Sequence, residues 1–263
     1  DTTEVDSTRH RATRGLGYLG SLRRRGLLLH TVIAASEDGL PLGVLRQIVW
    51  HRPLNEFGKR KDRRKTPLLE KESRRWLHGM AAAEVLLKDH PHVVVIGDRE
   101  SDFFPLFAAP RAPNVDLLIR VSREKRRVEH SAKYLDAALQ QTPVGGAVQI
   151  EVPRRAKRKA RTATLQVRWA NLEVRAPRNG PRLPSVRLWF IQLEEIDVPK
   201  GVVPIRWLLA TTQPVSTFED ALRDVRRYTH RWLIEQYHQV FKDGCRIEDL
   251  QLKTADGIRR AIA

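Results

Sequence analysis

The sequence predicts a mixed α/β fold, a mixed sheet flanked by helices with a β-rich insertion before a late helix. Three observations predict it. Apolar, β-branched runs alternate with helix-period segments through the first 122 residues, the texture of a layered α/β domain. Half-alternating strands separated by basic and Pro/Gly-rich loops occupy 123–213. A capped helical segment follows from 214 to 263.

The elements follow in order. Residues 27–35 are an apolar run that stops at the turn signal Ser36-Glu37-Asp38-Gly39. Residues 41–50 alternate in part, so the two runs read as an antiparallel hairpin. The loop over 58–65 is ionisable at every position after its glycine. From 68 to 87, Leu69, Trp76, Ala83 and Leu87 recur at helical spacing. Residues 93–96 are continuously apolar, the pattern of a strand buried on both faces, and end at Gly97-Asp98-Arg99. A short helix is expected over 102–107 and another buried strand over 117–121. Beyond Ser122, strands are expected at 148–152, 163–169, 186–193 and 205–210. The basic run 154–161 and the Pro/Gly/Arg loop 177–184 between them are expected to face nucleic acid or solvent. Ser216 with Glu219 three residues later is a capping box, and Gly244 suits the residue just past a helix end. Residues 258–263 read as a helix still running, and the chain starts at Asp1 rather than methionine, so it reads as a fragment of something longer.

Composition narrows the function. The 263 residues carry 48 Lys and Arg against 31 Asp and Glu, a formal net charge of +17 spread along the chain, which points to a polyanionic partner, nucleic acid before others. A single cysteine, Cys245, excludes an internal disulfide framework and any zinc site built from several thiolates, and fits a reducing compartment. No apolar stretch approaches the roughly 20 residues that span a bilayer, and no signal peptide is visible.

The candidate chemistry is concentrated late. Tyr228, Arg231, Glu235 and Lys242 have the spacing Y-x2-R-x3-E-x6-K. At about 100° per residue on one continuous helix they share an arc of roughly 60°. A carboxylate flanked by cations suits a site that holds both a metal and phosphates. Asp98, just past a strand, is placed either for such a site or as a helix N-cap. Gly15-Leu16-Gly17-Tyr18-Leu19-Gly20 spells G-x-G-x-x-G, but no strand precedes it and no helix opens on it, so nucleotide cofactor binding is rejected. His90 and His92 flank Pro91 and read as loop residues rather than metal ligands.

These segments together resemble the catalytic core of bacterial insertion-sequence transposases of the DDE superfamily, in the branch named for the Y-R-E-K signature. Asp1-Thr2-Thr3, followed by Arg9-His10 and the segment 16–21, resembles the region of the family's first aspartate; Gly97 to Asp102 resembles the second; Tyr228 to Lys242 resembles the third. The resemblance implies an RNase H-like fold with Asp1 on a central strand and residues 123–213 as an insertion. It implies Asp1, Asp98 and Glu235 as catalytic residues and ligands of Mg²⁺ or Mn²⁺, with two ions acting on one phosphate. It implies Tyr228, Arg231 and Lys242 on the DNA backbone, Trp207 stacking on a flipped base, and Arg120 on a phosphate. A core role is the alternative for Trp207, and a partly buried helix position for Tyr228; Trp169 and Trp189 read as core. The expected activity is cleavage of transposon ends through a hairpin and strand transfer into target DNA, by a homodimer on paired ends in the bacterial cytoplasm. The alternatives are an inactive DNA-binding remnant and an RNase H-like nuclease that does not transpose.

Overall fold

This computed structural model describes residues 1–59, 67, 70–152, 154, 160–178 and 182–262. The loops predicted over 58–65, 154–161 and 177–184 lie wholly or partly outside them, as does Leu69. The chain divides into two compact units, Asp1–Leu86 with His230–Ala263, and Leu87–Thr229.

The first unit is built on a four-stranded antiparallel sheet. Its strands are β1 (Thr2–Asp6), β2 (Gly17–Leu19), β3 (Ser21–Ala35) and β4 (Pro41–Trp50), and helix α1 (Arg74–Leu86) packs on β3 and β4. The long β3 is the centre: β1 pairs with its 26–30 segment, β2 with its start and β4 with its end. This corrects the expectation for β1, which among the described residues pairs only with β3 and is an edge strand of this sheet. The close β1–β3 approach needs Gly26, where a Cβ would stand 2.0 Å from the Val5 carbonyl oxygen. The expected hairpin joins β3 to β4, turned by Gly39 at φ 83. The glycines of the G-x-G-x-x-G string lie in turns and in β2 and lead into β3, not into a helix.

The later part of this unit contributes α5 (Trp232–Gln239), a π-helical turn Val240–Gly244, a 3₁₀ turn Ile247–Asp249 and α6 (Ala255–Ile262). Val5, Leu27 and Leu29 of the sheet form one core with Ile247, Ala255, Ile258 and Ile262. The alternating β1 and β3 residues supply one face. Ile258 and Ile262, four residues apart, supply a helix stripe.

The second unit holds a six-stranded mixed sheet in the order β5-β6-β10-β9-β8-β7. Its strands are β5 (Val93–Gly97), β6 (Val115–Arg120), β7 (Gly146–Val152), β8 (Arg161–Val174), β9 (Val186–Ile196) and β10 (Arg206–Thr211). β5 and β6 are parallel, joined through a 3₁₀ turn Arg99–Ser101 and helix α2 (Phe104–Ala108); every other pairing is antiparallel. With its helices this is the expected RNase H-like class, and the four expected strands between β6 and the late helices are present. Val93–Ile96 are half-buried, not fully buried as expected, since β5 is the edge of its sheet. Helix α3 (Leu135–Gln140) was missed inside the stretch read as β-rich; Leu135, Ala138 and Leu139, its buried face, have the i, i+3, i+4 spacing that announces it.

The late helices also differ from expectation. α4 (Phe218–Thr229) is capped one residue later than predicted. Thr217 Oγ1 accepts from the Asp220 N–H at 3.1 Å while Asp220 Oδ2 accepts from the Thr217 N–H at 3.1 Å and the Ser216 N–H at 3.0 Å. The helix then stops: the Thr229 hydroxyl donates to the Arg226 carbonyl at 2.6 Å, a side-chain bond that competes with the helical ladder. α5 starts afresh at Trp232. Gly244 lies within the π-helical turn rather than past a helix end; Cys245 caps it, its N–H donating to the Val240 carbonyl. The single helix face predicted for Tyr228, Arg231, Glu235 and Lys242 is therefore divided among α4, the start of α5 and the π-helical turn.

Candidate active site and nucleic-acid interface

In the first unit, Asp1 continues the β1–β3 ladder. Its amino nitrogen donates to the Thr31 carbonyl at 2.6 Å, and the Thr31 N–H returns to the Asp1 carbonyl at 2.8 Å. Its carboxylate is oriented by two bonds: Oδ1 accepts from the Thr2 N–H at 2.9 Å, and Oδ2 accepts from Arg231 Nη1 at 2.9 Å. The other terminal nitrogen of Arg231 donates to Glu235 Oε1, one helical turn along. Arg231 thus joins two predicted carboxylates that lie 234 positions apart in the chain. Lys242 pairs with Glu248 at 3.4 Å, and Glu248 Oε1 is itself fixed by the Asp6 N–H at 2.9 Å.

Two histidines that the sequence reading passed over lie in the same unit. His30 is fully buried on β3, its Nδ1 2.9 Å from Thr2 Oγ1 and its ring edge-on to Trp76. Arg75 Nε donates to the same Thr2 hydroxyl. His238 is buried on α5, three residues past Glu235. Burial above all, with Arg75 adding to it, pushes the His30 pKa down to about 2; burial above all, with Lys242 adding to it, lowers that of His238 to about 4. Both are neutral near pH 7.

In the second unit, Asp98 follows β5 directly. Its Oδ1 accepts from the Glu100 N–H at 2.8 Å, so it caps the 3₁₀ turn Arg99–Ser101. Its other carboxylate oxygen has no hydrogen bond among the described residues. Capping and a metal role are compatible, because each uses a different lone-pair set.

Four residues on, Asp102 is almost fully buried. Its Oδ2 accepts from the Ser122 N–H and the Arg123 N–H, each at 2.8 Å, and its Oδ1 pairs with Arg126. Arg126 also lies over the Phe107 ring. Burial lowers the Arg126 pKa, while Asp102 opposes that shift. No local signal marks this pair, because Asp102 and its partners are 20 to 24 residues apart.

Arg120, Trp207 and Tyr228 come together on one face of the second sheet. The Arg120 guanidinium lies 5.0 Å above the Trp207 ring, and its Nη2 donates to the Arg206 carbonyl at 2.7 Å. Trp207 meets Tyr228 edge-to-face at 5.6 Å. Tyr228 is buried, in the same core cluster as Leu193 and Leu209; Trp169, Trp189 and Trp207 are partly buried against that cluster. His92 sits in the loop before β5, paired with Asp116 at 3.2 Å.

Among the described residues no three or more His, Cys, Asp or Glu side chains are gathered into a group that could hold a metal ion. Asp1 and Glu235 nevertheless present hard oxygen donors that already share one cation, and their side chains remain 16% and 39% exposed. That donor set fits Mg²⁺ or Mn²⁺ and not a soft metal. No helix among the described residues is long and apolar enough to cross a membrane. A family model described as "Transposase DDE domain" matches residues 1–263.

Proposed function

The chain belongs to the transposase DDE-domain family, and from that membership we propose that it is the catalytic core of a cut-and-paste transposase of the Y-R-E-K branch. The family acts on DNA and generally uses divalent metal ions. Asp1, Asp98 and Glu235 are the proposed catalytic carboxylates and metal ligands. Residues 123–213 are the insertion that carries Trp207. Two copies acting on paired ends, in the cytoplasm on the nucleoid, complete the reading.

The observation that carries this reading is the Asp1–Arg231–Glu235 cluster. Asp1 and Glu235, two acids distant in sequence, converge on one guanidinium, and both lie in segments that resemble the family's first-aspartate and glutamate segments. Bound there, a divalent pair would activate a water or 3′-hydroxyl and stabilise the leaving oxygen. The chain's own side chains do the positioning. Asp1 is held by the Thr2 N–H, and Asp98 by its bond to Glu100. Arg231 can grip a phosphate with two parallel bonds, whereas Lys242 offers a point charge. Trp207, backed by Tyr228 and flanked by Arg120, offers a stacking face for an unpaired base, as hairpin formation requires. Hydrolysis and strand transfer differ only in the nucleophile, so one site serves both.

The test is Mn²⁺-dependent cleavage of cognate end DNA by the native protein, with Glu235→Gln and Asp98→Asn alongside. Loss of cleavage in both variants, with folding and DNA binding retained, is expected; wild-type cleavage by either one sinks the assignment. Cleavage with no strand transfer under any condition points to a nuclease instead.

A further inference from the structure

We infer that Arg231 is the internal counter-ion of Asp1 and Glu235, a charge that a divalent ion on their oxygens would replace, freeing the guanidinium for a DNA phosphate. This rests on the reading of Asp1 and Glu235 as metal ligands. The geometry is that of a fork: Nη1 donates to Asp1 Oδ2 at 2.9 Å and Nη2 to Glu235 Oε1. Both carboxylates are committed to one planar cation. Two carboxylates drawn this close repel unless a positive charge stands between them. Arg231 supplies that charge, and it is rooted where it can do so. It is the N-cap residue of α5 with helical backbone angles, one turn before Glu235. Asp1 cannot swing away freely, because Oδ1 is bonded to the Thr2 N–H.

The same oxygens cannot serve a guanidinium and a divalent ion at once without bringing like charges together. A divalent ion held by Asp1 and Glu235 would displace Arg231, and a phosphate is the natural destination for a displaced guanidinium. Metal and DNA are therefore linked through one side chain. Each ligand removes the obstacle to the other, and by thermodynamic reciprocity each raises the other's affinity by the same factor.

Mn²⁺ titration calorimetry on the native protein without DNA tests this, using wild type, Arg231→Gln and Glu235→Gln. Arg231→Gln should bind Mn²⁺ tighter by about fivefold, the size of one partly exposed ion pair. Glu235→Gln should bind more weakly. With saturating end DNA present, the gap between wild type and Arg231→Gln should close. Unchanged or weaker Mn²⁺ binding by Arg231→Gln, with Glu235→Gln still impaired, overturns the counter-ion role and leaves the metal-ligand reading standing. Unchanged binding by Glu235→Gln overturns the metal-ligand reading itself. Should Arg231→Gln fail to fold, Arg231→Lys takes its place. A single ammonium cannot fork between the two acids, so tighter Mn²⁺ binding is again expected, and no gain overturns the inference.

Discussion

Asp102 and Arg126 form a buried ion pair that ties the turn after Asp98 to the first residues beyond β6. Removing one partner strands the other charge in the interior. Asp102→Ala should therefore destabilise the protein by about 3–5 kcal/mol, read from denaturant unfolding. Asp102→Ala combined with Arg126→Met should recover part of that loss, because no unpaired charge remains. Equal stability of the single and double variants would contradict the pairing.

Asp98 caps a turn as well as standing at the predicted metal position, and two substitutions separate those roles. Asp98→Asn keeps a capping oxygen and removes the charge, so thermal stability should change little while Mn²⁺-dependent cleavage is lost. Asp98→Ala should lose both, with about 1 kcal/mol off the stability. A cleavage-competent Asp98→Asn variant would confine this residue to capping.

The Trp207 ring lies between the Arg120 guanidinium and the Tyr228 edge. Trp207→Ala should weaken binding to end DNA carrying an unpaired base by about 1–3 kcal/mol, measured against a fully paired duplex as reference. An equal loss for both DNAs would assign the ring to the core alone.

The buried histidines set the acid limb of stability. Both have folded-state pKa values below the ordinary 6.5, at about 2 for His30 and about 4 for His238. The unfolded chain therefore takes up protons that the folded chain refuses. Stability holds above pH 6.5 and falls as pH drops from 6.5 towards 4 for His238 and further for His30, by up to about 1.4 kcal/mol per pH unit for each. His238→Leu should flatten the pH 6.5–4 limb in thermal melts; an unchanged slope would exclude His238 as a source.

Thr217→Ala removes the hydroxyl that caps α4 and should lower stability by about 1 kcal/mol. Ser216→Ala should have a smaller effect, because Ser216 contributes its backbone N–H and not its side chain to the Asp220 interaction.

Local signals announced the hairpin, β5, β6 and the four later strands, because runs of apolar residues ending at turns are visible in a few consecutive positions. The family resemblance singled out Arg120 and Trp207, and the Y-R-E-K spacing singled out Tyr228; the three side chains lie together. What escaped depends on partners distant in sequence. The division of the Y-R-E-K stretch follows from the Thr229 hydroxyl and a fresh start at Trp232, where a 3.6-residue periodicity read straight through. Edge or central placement of β1 depends on which strands pair with it. The role of Asp102 was hidden because its donors belong to a segment 20 residues on. The two histidines looked unremarkable because burial, not type or spacing, changes their chemistry.

The first unit is discontinuous, with its core shared between Val5, Leu27 and Leu29 near one end of the chain and Ile247, Ile258 and Ile262 near the other. The second unit is a single uninterrupted stretch. During synthesis, the 87–229 unit can collapse as soon as it emerges, while β1 and β3 wait for the segment from Ile247 to Ile262 to cover them. Closing that core joins segments more than 200 residues apart, which makes it the slow, high-contact-order step. Asp1 and Glu235 are brought together in that same step. The pairing of Asp1 with Glu235 through Arg231 therefore waits until the segment from His230 onward has been made.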